Sequence, residues 1–303
     1  MGGSSRLRLL APRDGALLPI RAEMRLLVTG AAGMLGRDVS AAAADAGHDV
    51  TPLSRRDLDI ADSAAVAAAL RAARPDAVVN CAAWTDVDGA EADERMATAV
   101  NGAGAGNVAA AAAGVGAFVV HVSSDYVFDG AATDPYVESS ATAPLGAYGR
   151  SKLAGELAVA RAAADGHAIV RSSWLFGAHG TNFVATMLRL ARERDALSVV
   201  DDQVGCPTFT GHLAPALVAI AQRRLGGIRH VAGAGSCSWH DLAAATFAAT
   251  GADVELTRGR TADLGRPAPR PAYSVLRSER PGTPALPPWR EGLQAYLELG
   301  VTA

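Results

Sequence analysis

The sequence predicts an α/β fold: a doubly wound parallel sheet with a smaller, irregular C-terminal substrate-binding region. Two observations predict this fold. Short apolar runs alternate with longer, alanine-rich periodic segments from Met24 to about residue 175, and a glycine-rich turn directly follows the first apolar run. Strands and helices that alternate at this spacing favour parallel strands covered by helices on both faces.

The first elements follow from the local periodicity. Strands are predicted at residues 25–29, 49–53, 77–80, 118–122 and 168–171. Helices are predicted at residues 34–46, 63–73, 91–113 and 148–164, with Asp62 or Ser63 as the N-cap of the second. Further along, the pattern predicts helices at residues 182–194, 213–222 and 292–299, a short strand at residues 198–200, and a strand at residues 228–231 that returns to the main sheet.

The turn after the first strand reads Gly30-Ala31-Ala32-Gly33-Met34-Leu35-Gly36. Glycines at this place permit a tight turn, let the backbone approach a pyrophosphate, and allow the next helix to pack on the sheet. The helix N-terminus then offers free amides to the phosphates. The pattern therefore predicts a Rossmann-type dinucleotide site. The predicted cofactor-binding residues of this turn are Gly30, Ala32, Gly33, Met34, Leu35 and Gly36.

The end of the second strand bears on the choice of dinucleotide. It reads Ser54-Arg55-Arg56, where an acidic residue would be expected to hold the 2′-hydroxyl of NAD. We predict that Arg55 meets a 2′-phosphate and that the cofactor is NADPH, with NADH left open; the alternative is a solvated basic turn. Asp59 and Ile60 follow and are predicted to contact the adenine, unless Asp59 only leads the next helix.

These patterns divide the chain. Residues 1–23 are interpreted as a disordered N-terminal extension, and residues 24–175 as the dinucleotide-binding domain, which residues 211–235 rejoin. Residues 176–210 and 236–303 are assigned to the substrate-binding region.

The composition indicates which binding partners and which cellular compartment to expect. The net charge is -3, from 28 basic and 31 acidic residues. The chain therefore has no excess of basic residues that would indicate binding to nucleic acid. No apolar run reaches the roughly 20 residues that a membrane span needs. Three widely spaced cysteines do not indicate a disulfide framework. We interpret them as reduced thiols and expect a cytoplasmic protein.

A candidate proton donor is Tyr148, which opens a helix with Lys152 one turn later. A nearby ammonium would favour the phenolate, so we expect a lowered pKa for Tyr148 and a phenol able to protonate a carbonyl oxygen. Ser124 ends the fourth strand, where ligands of open parallel sheets gather, and could hydrogen-bond the same carbonyl. The predicted catalytic residues are Ser124, Tyr148 and Lys152.

Several segments resemble the extended short-chain dehydrogenase/reductases, and within them the dTDP-4-dehydrorhamnose reductases. The resemblance extends from Met24 almost to the C-terminus. The segments that carry it are residues 80–88 with Glu91, residues 121–130, 148–156, 171–176, 182–183 and 202–208, and Arg270-Pro271 with Ser274.

The resemblance implies reduction of the C4 keto group of a dTDP-4-dehydro-6-deoxysugar, in particular dTDP-4-dehydro-L-rhamnose to dTDP-L-rhamnose. Ser124 stands where the family usually has Thr, and keeps the hydroxyl. Tyr148 and Lys152 would also contact the cofactor, which Ala82 and Ala83 would approach through their backbone. The implied substrate-binding residues are Thr85, Val87, Ser124, Tyr126, Trp174 and Asn182. Trp174 could instead be core, and Asn182 could merely cap a helix.

Other functions on the same scaffold stay open. A dehydratase would need an Asp-Glu pair where this chain has Asp125-Tyr126, but an epimerase or another 4-ketoreductase would use the same tyrosine and lysine. A rival of a different class is a non-catalytic, NADP-binding regulatory subunit. Some family members hold magnesium between subunits through glutamates. Asp38 matches one such position without convincing partners, so no metal is predicted; a homodimer stays open.

Overall fold

The computed structural model describes residues 23–300 and confirms the predicted α/β fold. The predicted extension over residues 1–23 lies outside the described residues, apart from Glu23. The strands are β1 (Arg25–Thr29), β2 (Asp49–Leu53), β3 (Ala77–Asn80), β4 (Phe118–Ser124), β5 (His167–Ser172), β6 (Leu175–Phe176), β7 (Ala196–Val200), β8 (Val204–Gly205), β9 (Thr208–Phe209), β10 (Gly227–His230), β11 (Cys237–Ser238) and β12 (Glu255–Gly259).

The helices flank and follow these strands. They are α1 (Met34–Asp45), α2 (Ser63–Ala73), α3 (Val87–Ala92), α4 (Glu94–Thr98), α5 (Ala105–Gly114), α6 (Ala147–Ala162), α7 (Phe183–Glu193), α8 (Thr210–Arg223), α9 (Trp239–Thr250) and α10 (Trp289–Glu298). A π-helical segment, Ala99–Gly104, joins α4 to α5. In the described part of the chain, no helix is both long and apolar enough to cross a bilayer.

The central sheet of the described chain has six parallel strands in the order β10-β5-β4-β3-β1-β2. Successive side chains of each strand point to opposite faces. On one face, Leu26 and Val28 of β1 pack beneath α1 and α8. On the other face, Leu27 packs with Val66 of α2 and Val108 of α5, beside α6. The sheet is therefore apolar on both sides, as a doubly wound fold requires.

Strand order reverses between β1 and β3, which lie side by side although β2 separates them in sequence. The loops that leave the carboxyl ends of β1 and β3 diverge at such a point and leave a crevice. The glycine-rich turn follows β1, and residues 81–86 follow β3. Topology thus places both predicted cofactor segments at one crevice.

The predicted single helix over residues 91–113 is wrong. Asp93 ends α3 with non-helical backbone angles (φ -141°, ψ 72°), and its carboxylate caps α4 by accepting the Met96 amide at 2.9 Å. Gly104 of the π-helical segment lies against Ile60, since a Cβ at Gly104 would lie 2.8 Å from the Ile60 side chain. Alanine content favours helix throughout this stretch but does not report these contacts.

The C-terminal region contains α7, α9 and α10 and short two-stranded sheets. Its core includes Phe176, Val184, Leu242, Trp289 and Tyr296. The helix α9 was not predicted. The segment of residues 210–223 returns to the main body, since α8 packs against α1 and β10 pairs with β5. The division into a dinucleotide-binding domain and a substrate-binding region stays a prediction.

Candidate active site

A cleft of about 770 Å³ opens at the carboxyl edge of the sheet, over the crevice between β1 and β3. Its walls come from both the sheet and the C-terminal region. The predicted site residues that line it are Gly30, Ala32, Gly33, Met34, Leu35, Gly36, Arg55, Asp59, Ile60, Ala82, Ala83, Thr85, Val87, Ser124, Tyr126, Tyr148, Lys152 and Trp174. Asn182 is not among the lining residues. The roles of these residues stay predictions, but their proximity is a structural fact.

The glycine-rich turn has a geometry that side chains would prevent. Gly30 has φ +67°, and a Cβ there would lie 2.7 Å from the Ala82 nitrogen. A Cβ on Gly36 would lie 2.2 Å from the Gly30 carbonyl oxygen. Among residues 23–300, no side chain caps α1, whose N-cap is Gly33, so its first amides are free to bind an anion. The turn therefore fits a dinucleotide pyrophosphate.

The turn after β2 forms the far end of the cleft. The Asp57 carboxylate accepts the Ser54 amide at 2.9 Å and its hydroxyl at 2.6 Å, and these hydrogen bonds lower the pKa of Asp57. Arg55 is exposed and lines the cleft from this turn. Asp59 lines the cleft and also accepts the Ala61 amide at 3.0 Å. Asp62, not Asp59, caps α2, because its carboxylate accepts the Ala64 and Ala65 amides at 3.0 Å. The contact of Asp59 with the adenine stays a prediction.

Tyr148 and Lys152 occupy the first turns of α6, on one face. The helix begins where the Glu91 carboxylate accepts the Ala147 amide at 2.6 Å. Gly149 lets α6 approach the turn after β4, because a Cβ there would lie 2.2 Å from the Tyr126 carbonyl oxygen. This close approach brings Tyr148 beside Tyr126, with ring centroids 5.5 Å apart in an edge-to-face arrangement.

Lys152 is buried, and its ammonium donates to the Val122 carbonyl at 2.7 Å. Burial lowers the pKa of Lys152 to about 8, against the raising effect of Glu156. The bond to Val122 holds the ammonium at the carboxyl end of β4. Two of its three protons remain for a ligand in the cleft.

The expected lowering of the Tyr148 pKa is not what the structure gives. Burial raises the pKa of Tyr148 to about 12, the nearby Asp125 carboxylate raises it further, and the Ser124 hydroxyl acts in the opposite sense. The one-turn spacing in the sequence indicates only the effect of the lysine on the Tyr148 pKa. The desolvation of the phenol and the Asp125 carboxylate after β4 act on this pKa only in the folded chain. In the protein alone, Tyr148 is therefore a protonated phenol.

The loop after β3 is held by Asn101 of the π-helical segment. Its side-chain oxygen accepts the Trp84 amide at 2.8 Å, and its nitrogen donates to the Trp84 carbonyl at 3.0 Å and to Ser151 at 2.9 Å. Ser151 in turn donates to the Tyr148 carbonyl at 2.7 Å. Asn101 therefore ties the loop carrying Ala82 and Thr85 to the helix carrying Tyr148.

Trp174 forms a wall of the cleft and is only partly buried, so it is not a core residue. Its backbone is left-handed, with φ 49°, and its indole stacks on Trp239 at 3.5 Å between centroids and 3° between planes. Trp239 also lines the cleft and was missed by the sequence argument. The signal was present: Ser238 and Asp241 form a capping box that starts α9.

Asn182 lies behind the cleft wall. Its side chain caps α7 by accepting the Ala185 amide at 2.9 Å, and donates to the Gly177 carbonyl at 2.9 Å. These bonds occupy the side chain, so a direct contact with substrate would need Asn182 to give them up. Its assignment to the substrate site stays a prediction.

The irregular segment before α10 is joined to α3 by two ion pairs that share one carboxylate. Arg270 donates to both oxygens of Asp88, at 3.0 and 2.9 Å, and Arg266 donates to the same carboxylate at 3.0 Å. These hydrogen bonds hold the pKa of Asp88 well below its usual range. The family resemblance includes Arg270, but the sequence did not show that Asp88 is its partner.

The prediction that the protein holds no metal ion remains untested. Asp38 lies 3.7 Å from His179. Elsewhere in the described residues, ligand atoms of Asp201, His240 and Asp241 lie within 4.8 Å of one another. Asp201 accepts a hydrogen bond from Ser238 and pairs with Arg258, so this group already has protein partners.

The fold and the cleft together define an oxidoreductase of the short-chain type, with a dinucleotide turn beside a serine, a tyrosine and a lysine. A family model described as the RmlD substrate binding domain matches residues 24–301. The chain belongs to this family, that of the dTDP-4-dehydrorhamnose reductases.

Known proteins of this family are similar along most of their length. The chain is 46% identical over 280 residues to the dTDP-4-dehydrorhamnose reductase of Streptomyces griseus, covering 90% of this chain and 92% of that one. It is 46% identical over 253 residues to the dTDP-4-keto-6-deoxy-D-glucose reductase of Streptomyces niveus, covering 83% and 88%. A crystal structure of the Bacillus anthracis dTDP-4-dehydrorhamnose reductase in complex with NADP superposes with a TM-score of 0.89 at 37% identity, covering 91% and 99%.

Proposed function

We propose that this protein reduces the C4 keto group of a dTDP-4-dehydro-6-deoxysugar with NADPH, and that the substrate is dTDP-4-dehydro-L-rhamnose. The observation that carries the proposal is the position of Ser124, Tyr148 and Lys152, which line one cleft together with the glycine-rich turn. The family supports the reaction type, and the names of its members support a dTDP-linked deoxysugar.

Different residues of the cleft would bind different parts of the cofactor. The uncapped N-terminus of α1 would hold the pyrophosphate, Arg55 the 2′-phosphate, and Lys152 the hydroxyls of the nicotinamide ribose. A bound reduced nicotinamide supplies the hydride that the keto carbon accepts. Ala82 and Ala83 leave room for the cofactor against the end of β3, where larger side chains would reduce the cleft.

The protein contributes the proton that the keto oxygen receives and the electrostatic stabilisation of the charge that develops there. Tyr148, protonated in the free protein, donates its proton to the oxygen of the keto group as negative charge develops there. The Lys152 ammonium favours the phenolate that remains, and the Ser124 hydroxyl donates a hydrogen bond to the same oxygen. Trp174 and Trp239 form an aromatic wall on one side of the cleft.

The first experiment is a spectrophotometric assay of reduced nicotinamide with dTDP-4-dehydro-L-rhamnose, run with NADPH and NADH in turn. Oxidation that requires both sugar and protein is expected, followed by isolation of dTDP-L-rhamnose. Parallel reactions with dTDP-4-keto-6-deoxy-D-glucose test the reaction named for the Streptomyces niveus relative. Tight cofactor binding without turnover of any such sugar would favour the regulatory subunit, and isomerisation without oxidation would favour an epimerase.

The cofactor preference is tested by Arg55→Ala. Because Arg55 would pair with the 2′-phosphate of NADPH alone, the change should raise the KM for NADPH about 10-fold or more and leave the KM for NADH nearly unchanged. Arg56→Ala is the matched control, since Arg56 belongs to the same turn but does not line the cleft. Equal effects of Arg55→Ala on both cofactors would contradict the assignment.

We further propose that the protein works in the cytoplasm and forms a homodimer. Within the described residues its three cysteines are free thiols, which suits a reducing compartment. Light scattering after size-exclusion chromatography would give the oligomeric state, and a mass of one chain would refute the dimer.

A further inference from the structure

Asp125 is a buried carboxyl group in the cleft that the mechanism above does not use. It follows Ser124 at the end of β4, is 1% exposed, and lines the cleft. Its Oδ1 accepts the Ser124 hydroxyl at 2.9 Å, while its Oδ2 makes no hydrogen bond within the described part of the chain. Burial makes a carboxyl group costly to ionise when one of its oxygens lacks a hydrogen bond.

The hydroxyl of Ser124 has only one proton to donate. In the reaction proposed above, that proton must point at the keto oxygen. If Asp125 is ionised, it competes for the same proton through a charge-assisted hydrogen bond, which is stronger than one to a neutral carbonyl. If Asp125 is protonated, the direction reverses: its O–H donates to Ser124, and the serine proton is free for the substrate.

We propose that Asp125 is a positioning residue that acts in its protonated form, donating a hydrogen bond to Ser124 so that the serine hydroxyl donates to the substrate oxygen. The inference rests on the proposed reductase function. Asp125 keeps its proton throughout and does not transfer it. Its effect on the substrate passes entirely through Ser124.

The surroundings shift the protonation equilibrium of Asp125 toward the protonated form, so that about half of the free protein carries this proton at pH 6. Burial raises the pKa of Asp125 to about 6, against lowering effects of the Ser274 and Ser124 hydroxyls and of the backbone amides of Asp125 and Tyr126. The groups that face it are Tyr148 from α6, Tyr126 beside it, and Cys206 after β8, and each has a raised pKa and is neutral. No cation of the described residues pairs with it. A substrate that fills the cleft would remove water and favour the neutral form further.

The test compares the dependence of kcat on pH in the wild type and in Asp125→Asn. Wild-type kcat should fall as pH rises through the Asp125 pKa, by up to ~10-fold per pH unit, because the ionised carboxylate captures the serine proton. An asparagine amide donates to Ser124 at every pH, so Asp125→Asn should lose this fall and decline only near pH 8, where Lys152 loses its proton. Asp45→Asn, an exposed change on α1, should keep the wild-type profile.

A double-mutant cycle separates positioning from a general structural role. Because Asp125 acts through the serine hydroxyl, Asp125→Asn should have no further effect on the pH profile in a Ser124→Ala background. Additive effects, or an Asp125→Asn profile that still falls at the wild-type midpoint, would overturn the proposal.

A second measurement is independent of activity. In full-length protein labelled with carboxyl-¹³C aspartate, the resonance missing from Asp125→Asn identifies Asp125. Its NMR titration should show a midpoint near 6 rather than the ordinary value of about 3.9. A midpoint near the ordinary value would refute the protonated form even if no substrate is found. A raised midpoint without reductase activity would locate the failure in the proposed function.

Discussion

At the scale of single residues, the environment of Tyr148 decides what it can do. The phenol is buried and protonated, with the Lys152 ammonium one turn away and the Ser124 hydroxyl acting on it. A donor that keeps its proton until charge develops on the substrate suits ketone reduction. The neighbouring lysine matters mainly after the proton has left, because it then faces a phenolate.

The first residue-scale prediction concerns Tyr148→Phe. Removing the phenolic proton should lower kcat by ~10²-fold or more, the range for loss of a positioned proton donor, while cofactor affinity stays near normal. Steady-state kinetics and fluorescence titration with NADPH measure the two quantities. Tyr273→Phe is the control, since it removes a phenol outside the cleft lining. Turnover of Tyr148→Phe close to the wild-type value would mean that another group supplies the proton.

At the scale of elements, α6 is attached to the sheet by a buried ion pair. The Glu156 carboxylate accepts two hydrogen bonds from Arg171 of β5, at 2.8 and 2.6 Å, and one from Ser123 of β4 at 2.6 Å. Both charged side chains are 3% exposed or less. Glu156 lies one turn beyond Lys152, so the same bonds that join helix and strands also orient the catalytic face of α6.

Replacement of Glu156 by Gln should therefore be costly. The change leaves the Arg171 charge buried without its partner, and the free energy of unfolding should fall by about 3–5 kcal/mol. Glu193→Gln is the matched control: its pair with Arg189 has both side chains about half exposed, so the loss should be below about 1 kcal/mol. Urea denaturation followed by circular dichroism measures both variants. Similar losses in the two would show that the buried pair contributes no more than a surface one.

At the scale of the whole molecule, the cleft joins the sheet to the C-terminal region. Its lining includes Gly33 at the start of α1, Tyr148 on α6 and Trp239 on α9. A ligand in the cleft therefore contacts parts of the chain that are far apart in sequence. Such a ligand stabilises the whole fold by mass action when it binds only the folded state.

Addition of NADPH at about 100 times its Kd should raise the unfolding free energy by about 2.7 kcal/mol, with a corresponding rise in Tm. Gly36→Ala should abolish this rise, because its Cβ would lie 2.2 Å from the Gly30 carbonyl oxygen and displace the turn. Gly114→Ala, where a Cβ meets no atom of the described residues within 4 Å, should keep it. Differential scanning fluorimetry with and without NADPH makes the comparison, and an undiminished shift in Gly36→Ala would contradict the location of the cofactor.

The sequence by itself determined the alternation of strands and helices, the glycine-rich turn after β1, and the one-turn spacing of Tyr148 and Lys152. Each of these is a local pattern, because the periodicity of apolar residues and the spacing of helical neighbours can be identified within a short stretch of sequence. Only the tertiary structure decided the break between α3 and α5, the stacking of Trp239 on Trp174, and the direction of the Tyr148 pKa shift. Those properties depend on burial and on partners distant in sequence, and neither is visible until the chain has folded.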